Sequence, residues 1–180
     1  MTDLVEPDVA WHRSWADAVM EFGDQTIHGS GFWRMPRGRF DDLTLEGCRQ
    51  VVTNLRAALD PEPGAEHVPG SELVPDSLLW IVDGDPAEVV GFLSLRHRLN
   101  AWLLEEGGHI GYSIRPSRRR QGHATRALTL AVRRAAGLGI ERVLVTCEEN
   151  NVPSALTIER AGGVYEDSRN GKRRYWIETT

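Results

Sequence analysis

The sequence predicts an α/β (α+β) fold: a mixed sheet, mostly antiparallel, with one parallel central strand pair and helices packed against it. Three observations carry that expectation. Gly108–Thr125, GHIGYSIRPSRRRQGHAT, passes from an alternating strand-like run into a basic glycine-containing loop and then an amphipathic helix. Ile140–Cys147, IERVLVTC, follows that helix as a strand, and a strand–helix–strand crossover makes the two strands parallel. Two hairpins flank the crossover, one over 77–96 and one around Asn170-Gly171.

The elements follow in order. Trp11, Trp15, Ala18, Val19 and Phe22 recur at helical spacing over 9–22, and the two tryptophans share a core-facing side. Gly23–Arg39, with Gly29, Gly31, Pro36 and Gly38, reads as a long loop able to cover an acceptor cleft. Thr44 caps a helix to about Leu59, whose apolar face runs Leu45, Cys48, Val51, Val52, Leu55, Ala58 and Leu59. Pro61, Pro63, Gly64, Pro69 and Gly70 then mark an irregular connection up to Pro75.

Ser77–Val82 and Glu88–Arg96 form the first hairpin, with Gly91 allowing a bulge or a close backbone approach. Residues 97–108 connect to the strand at His109–Ile114, which Pro116 stops because proline donates no ladder hydrogen bond. The helix from about Gly122 to Leu138 sets Ala124, Leu128, Ala131, Val132, Ala135 and Leu138 toward the sheet. Pro153-Ser154 opens a last helix, ended by Gly162-Gly163, before the closing hairpin of Val164–Glu166 and Arg173–Glu178.

Length and composition narrow the function classes. A chain of 180 residues with 41% hydrophobic and 26% charged residues is expected to form one domain, 1–180, with 1–75 as its helix-and-loop part and 76–180 as its core. The net charge of −5 and the lack of spaced aromatics around Arg115–Arg120 argue against a nucleic-acid surface. No apolar run reaches the length of a membrane span, and the N-terminal residues lack the order of a signal peptide, so a cytoplasmic location is expected. Cys48 and Cys147 make neither a disulfide framework nor a metal-binding pair, and no histidine pair has metal-ligand spacing; no metal is expected.

The loop after the central strand is built for an anion. A strand, a basic turn and a helix start point free backbone N–H groups at one place, and the helix dipole and arginines add positive potential. Small residues at Gly122 and Ala124 let phosphates approach the main chain.

Arg119-x-x-Gly122-x-Ala124 resembles the R/Q-x-x-G-x-G/A signature of the GCN5-related N-acetyltransferase (GNAT) superfamily. Asn151-Val152-Pro153-Ser154, continued by 158–163, resembles that family's second stretch, N-x-x-A/S-x-x-x-Y-x-x-x-G-F. The resemblance covers roughly 81–163. It implies the GNAT fold, with the parallel pair splayed around acetyl-CoA, and an acetyl-CoA-dependent N-acetyltransferase acting on a primary amine of a small molecule or peptide. It also leaves a homodimer open. Carried over residue by residue, it assigns the cosubstrate to Tyr112, Ile114, Arg119, Arg120, Gln121, Gly122, His123, Ala124, Thr125, Asn151 and Ser154, with a strand amide near 112–114 as oxyanion donor.

Two positions depart from the pattern. Ile158 stands where the family has a tyrosine that protonates the leaving thiolate, and Gly163 replaces an aromatic. Coenzyme A is already a good leaving group, with a thiol pKa of about 8 to 9 if it behaves like cysteine. Another hydroxyl or a water is enough to assist it. An attacking amine also needs a proton acceptor, for which Glu106 and His109 are the candidates, with Glu105, Glu148 and His97 as further groups near the expected cleft. Cys147 is a weaker candidate, as a nucleophile. The competing reading is a non-catalytic acyl-CoA sensor that kept the carrier grip and lost the acid.

Overall fold

The computed structural model describes residues 1–35, 38, 40–66 and 71–180. Pro36 and Arg39 of the predicted loop, and Pro69 and Gly70 of the predicted connection, lie outside the described residues. The strands are β1 (Asp3–Val5), β2 (Asp76–Gly84), β3 (Ala87–Arg96), β4 (Ile110–Ile114), β5 (Arg142–Glu148), β6 (Val164–Arg169) and β7 (Lys172–Glu178). The helices are α1 (His12–Phe22), α2 (Leu45–Ala57), α3 (His123–Gly137) and α4 (Val152–Arg160).

The strands form one sheet in the order β1-β2-β3-β4-β5-β7-β6. All neighbours are antiparallel except β4 and β5, which run parallel. Alternation sorts the side chains onto two faces. Leu79 and Ile81 of β2, Leu93 and Leu95 of β3 and Val143 and Val145 of β5 pack under α3 and α4. Leu78 and Trp80 of β2 and Phe92 of β3 pack under α1 and α2 with Trp15, Phe22 and Leu55. Trp15 lies stacked on Trp80 at 6.3 Å between centroids, which is the core role its helical spacing predicts.

Four local expectations need correction. The N-terminal residues contribute β1, whose Leu4 sits opposite Ile81; three residues are too few to show an alternation. Residues 103–107 form a wide helical turn rather than an irregular link. Leu45 and Leu59, at the two ends of the second predicted helix, are about half exposed. Leu138, at the end of α3, is exposed for the same reason: terminal positions overhang the sheet. The bulge does fall beside Gly91: Ile81 pairs Gly91 and Val82 pairs Val89, leaving Val90 as the extra residue. A Cβ on Gly91 would lie 2.2 Å from Ser113 O, so only glycine lets β3 and β4 close here.

Candidate functional site

The parallel pair is joined at one register position, Ile110 to Val145. Beyond it β4 stays with β3, whereas Thr146, Cys147 and Glu148 pair with Arg174, Arg173 and Lys172 of β7. The two strands therefore part, and a gap opens between them toward their carboxyl ends. Arg96 N donates to His109 O and Arg115 N to Val90 O at the two ends of the β3–β4 ladder. Antiparallel alternation then turns Gly111 and Ser113 toward β3 and aims the N–H groups of Tyr112 and Ile114 into the gap.

At the gap's far end the chain turns through 116–118 and enters α3. Arg120 is left-handed at φ 63°, and Gly122 caps the helix at φ 86°. The first bond into α3 is Arg126 N to Gly122 O. Among the described residues, the N–H groups of Gln121, Gly122, His123, Ala124 and Thr125 meet no acceptor, as the first turn of a helix requires. Open space lies in front of Gly122. Unsatisfied donors, a helix dipole and room for a bulky anion fit a diphosphate.

Several of the loop's side chains are tied down instead of pointing out. Arg119 Nε donates to Ile114 O at 2.9 Å and its Nη2 to Gln25 Oε1 at 2.8 Å, so this arginine braces the turn against the end of α1. Glu21 accepts from Ser117 N and from Ser117 Oγ, and pairs with Arg115. Partial burial opposes ionisation of Glu21, and those hydrogen bonds outweigh it, holding its carboxyl below the usual range. Gln121 Nε2 folds back to Ser117 O. His123 is buried, with Nδ1 2.8 Å from Thr2 Oγ1, while its Nε2 has no partner among the described residues.

On the α3–α4 side of the gap, Tyr112 OH lies 3.0 Å from Ser154 Oγ. Burial pushes the Tyr112 hydroxyl up to about 12, so it stays protonated. Ser154 is held at the start of α4, where its N–H donates to Asn151 Oδ1 at 3.1 Å. That bond gives Asn151 a capping role. Cys147 is buried close by, and burial raises its thiol above the ordinary value, which disfavours the thiolate. Ile158 is fully buried in the core, with Gly163 against it: a Cβ at 163 would lie 2.5 Å from Ile158 Cγ2.

The expected proton acceptors fare differently. His109 N donates to Leu144 O at 2.7 Å, and its Nδ1 accepts from Leu144 N at 2.9 Å. The imidazole thus fastens β4 to β5 just before they part. Burial, then the charge of Arg96, lowers its pKa to about 4. A ring so engaged is a poor base for an amine, and the geometry argues against that expectation. Its ordinary pKa is 6.5, so between 6.5 and about 4 the unfolded chain binds a proton that the folded chain refuses. Stability is therefore expected to fall as pH drops through that window, by roughly 3 kcal/mol in full. Denaturant unfolding across the window checks this, and His109→Gln should flatten the slope.

Glu106 belongs to the 103–107 turn; its main-chain O accepts from Thr146 Oγ1, and its carboxylate lies 3.5 Å from Asn170 Nδ2. Glu105 pairs with Arg169 and Glu148 with Lys172. His97 is bound to Ser77.

The other face of the gap holds residues the sequence did not single out. Gly29 packs on Gly111, where a Cβ at 29 would lie 2.3 Å from Gly111 O. That contact brings the chain at His28, which lines a neighbouring cavity, close to β4. Partial burial, then Lys172, lowers the pKa of His28, with Glu148 opposing, which keeps the ring neutral near pH 7. Behind it lies a cavity of about 250 Å³ between the 26–34 segment, the 71–78 segment and the end of β3, with Arg34, Asp76 and Arg96 in its wall. The length of the 23–39 loop was the one signal for this region; no local motif marks His28, Arg34 or Arg96.

Among the described residues no helix is long and apolar enough to cross a membrane, and no cluster of side chains could hold a metal ion. Residues 42–164 match the sequence profile of a family described as an acetyltransferase (GNAT) domain. A search of curated proteins finds no match. Among solved structures, a microcin self-immunity acetyltransferase in complex with acetyl-CoA and AMP superposes with a TM-score of 0.63 at 14% identity, over 98% of this chain and 92% of that one. A ribosomal-protein-S5-alanine acetyltransferase from Vibrio fischeri gives 0.65 at 16% identity, over 99% and 93%. The ribosomal L7/L12 alpha-N-protein acetyltransferase RimL, in complex with coenzyme A, gives 0.62 at 16% identity, over 98% and 93%. Identities this low establish a shared fold.

Proposed function

The chain belongs to the GNAT acetyltransferase family, and from that premise we propose that it moves an acetyl group from acetyl-CoA to a primary amine of a small molecule or peptide by direct attack in a ternary complex. The observation that carries this reading is the pairing of the β4–β5 gap with the unsatisfied N–H groups of 121–125 at its end. Bound there, acetyl-CoA supplies an activated thioester. The solved relatives whose descriptions name acetyl-CoA or coenzyme A support this choice of carrier.

The chain's own groups then have distinct roles. The amides of Gln121, Gly122, His123, Ala124 and Thr125, with Arg120 beside them, receive the diphosphate; Arg119 braces the turn from behind. The N–H groups of Tyr112 and Ile114 offer hydrogen bonds to a carbonyl oxygen as negative charge builds on it. Ser154 Oγ, backed by Tyr112 OH, donates to the departing sulfur in place of the acid that Ile158 lacks. His28, neutral and beside β4, takes the amine proton; Glu106 is the alternative acceptor, and His109 is structural. The segment 1–75 shapes the acceptor side and 76–180 holds the carrier. The hydroxyl pair favours catalysis over the sensor reading.

Thiol release from acetyl-CoA with a panel of amines, and acetylated product by mass, tests the reading; acetyl-CoA bound without turnover would favour a sensor. Ser154→Ala leaves the backbone cap in place and is expected to lower kcat about 10- to 100-fold, because a good leaving group asks little of its acid. Tyr112→Phe should act in the same direction. Unchanged kcat in both variants would remove the hydroxyl pair from the chemistry.

A further inference from the structure

The cavity behind His28 holds a charge arrangement that bears on what the acceptor is, and the inference rests on the acetyltransferase reading. Arg34 and Arg96 both line it, against Asp76 as its buried carboxylate; Glu72 lines the rim and is exposed, where water screens it. His28 is held toward neutrality. Asp76 is 3% exposed, and both of its oxygens accept from Ser94 Oγ, at 2.8 and 2.9 Å. Among the described residues, two guanidinium groups facing one buried carboxylate leave a positive charge in the wall without a counter-ion.

The two arginines are not equivalent. Arg96 is anchored: its Nη1 donates to Gly107 O at 3.1 Å and Gly108 O at 3.2 Å. The same nitrogen lies 3.9 Å from where a Cβ on Gly111 would sit, so this arginine links the cavity wall to β4. Arg34 has its guanidinium carbon 4.5 Å from the centroid of the Trp33 ring, a cation–π contact that uses none of its N–H donors. Its Nε is buried and meets no acceptor among the described residues. A buried donor on a cation is an expensive group to leave unmatched.

We propose that Arg34 binds an oxyanion carried by the acceptor, a carboxylate or a phosphoryl group at the end of the molecule away from the reacting amine. The reacting amine cannot itself settle against Arg34 while it is cationic, whereas a planar or tetrahedral oxyanion matches the guanidinium fork. A cavity of about 250 Å³ has room for an amino-acid-sized body with its amine directed past His28 and Gly29 toward the thioester.

The test compares matched amines on the CoA-saturated protein by calorimetry: 4-aminobutyrate with propylamine, 5-aminopentanoate with butylamine, and phosphoethanolamine with ethanolamine. At least one oxyanion-bearing member is expected to bind ten-fold or more tightly than its twin; the amino-acid pairs report a carboxylate and the third a phosphoryl group. Arg34→Gln should erase the difference and Arg34→Lys keep part of it, with retained CoA affinity showing that each variant is folded. Pairs that bind alike, or a preference that survives in Arg34→Gln, overturn the assignment. CoA bound without any oxyanion preference defeats this inference alone; no CoA binding by the unmodified chain defeats the acetyltransferase reading, and this with it.

Discussion

Gly122→Val is expected to abolish measurable acetyl-CoA binding while the chain stays folded. Gly122 caps α3 at φ 86°, and nothing lies within 4 Å of the position its Cβ would take. The new Cβ therefore meets no protein atom, and the side chain is expected to occupy space beside the free N–H groups of 121–125. Left-handed backbone costs a substituted residue about 1–2 kcal/mol, a fraction of the stability of an ordinary domain. A branched side chain there holds the phosphates away from the main chain. Hydrogen bonds to charged groups are worth about 1.5–3 kcal/mol each, so losing two weakens the carrier by roughly 100-fold or more. Calorimetry with acetyl-CoA, alongside a thermal melt, reads both halves of the expectation. Undiminished affinity would mean that the diphosphate does not bind at this turn.

Gly29→Val should produce the opposite split: carrier binding kept, acceptor turnover lost. At φ 78° its Cβ would lie 2.3 Å from Gly111 O and 3.0 Å from Leu93 Cα, all backbone that cannot step aside. The loop has to lift from β4, taking His28 and one wall of the cavity with it. A displacement on the order of 1 Å in groups that position a reacting partner costs roughly 100-fold in rate. The measurement is kcat/KM for the amine at saturating acetyl-CoA, with carrier affinity as the control. Turnover equal to that of the unsubstituted chain would show that this loop does not shape the acceptor side.

The two variants probe regions of different legibility. The carrier side reads well from sequence because its chemistry uses the main chain, and a main-chain site is written in local terms. A proline that stops a strand, a basic turn, small residues and an amphipathic period occupy consecutive positions. The side chains in that turn are harder to read. Arg119 looks like a phosphate ligand in sequence, and in the structure its guanidinium is also tied to Ile114 O and to Gln25, 94 positions away. His109 looks like a base and is a fastener between strands, since Leu144, 35 positions away, determines its role.

The sequence by itself determined the strand–helix–strand core, the hairpins, the family and the basic turn that we propose for the carrier's diphosphate. Each of these follows from residues near one another, through periodicity, turn chemistry or a helix start. The tertiary structure alone decided that β1 joins the sheet edge and that the hydroxyls of Tyr112 and Ser154 meet. It also decided that His28, Arg34, Asp76 and Arg96 surround one cavity. Those roles depend on contacts between distant segments and on the desolvation that follows, and no local pattern encodes either.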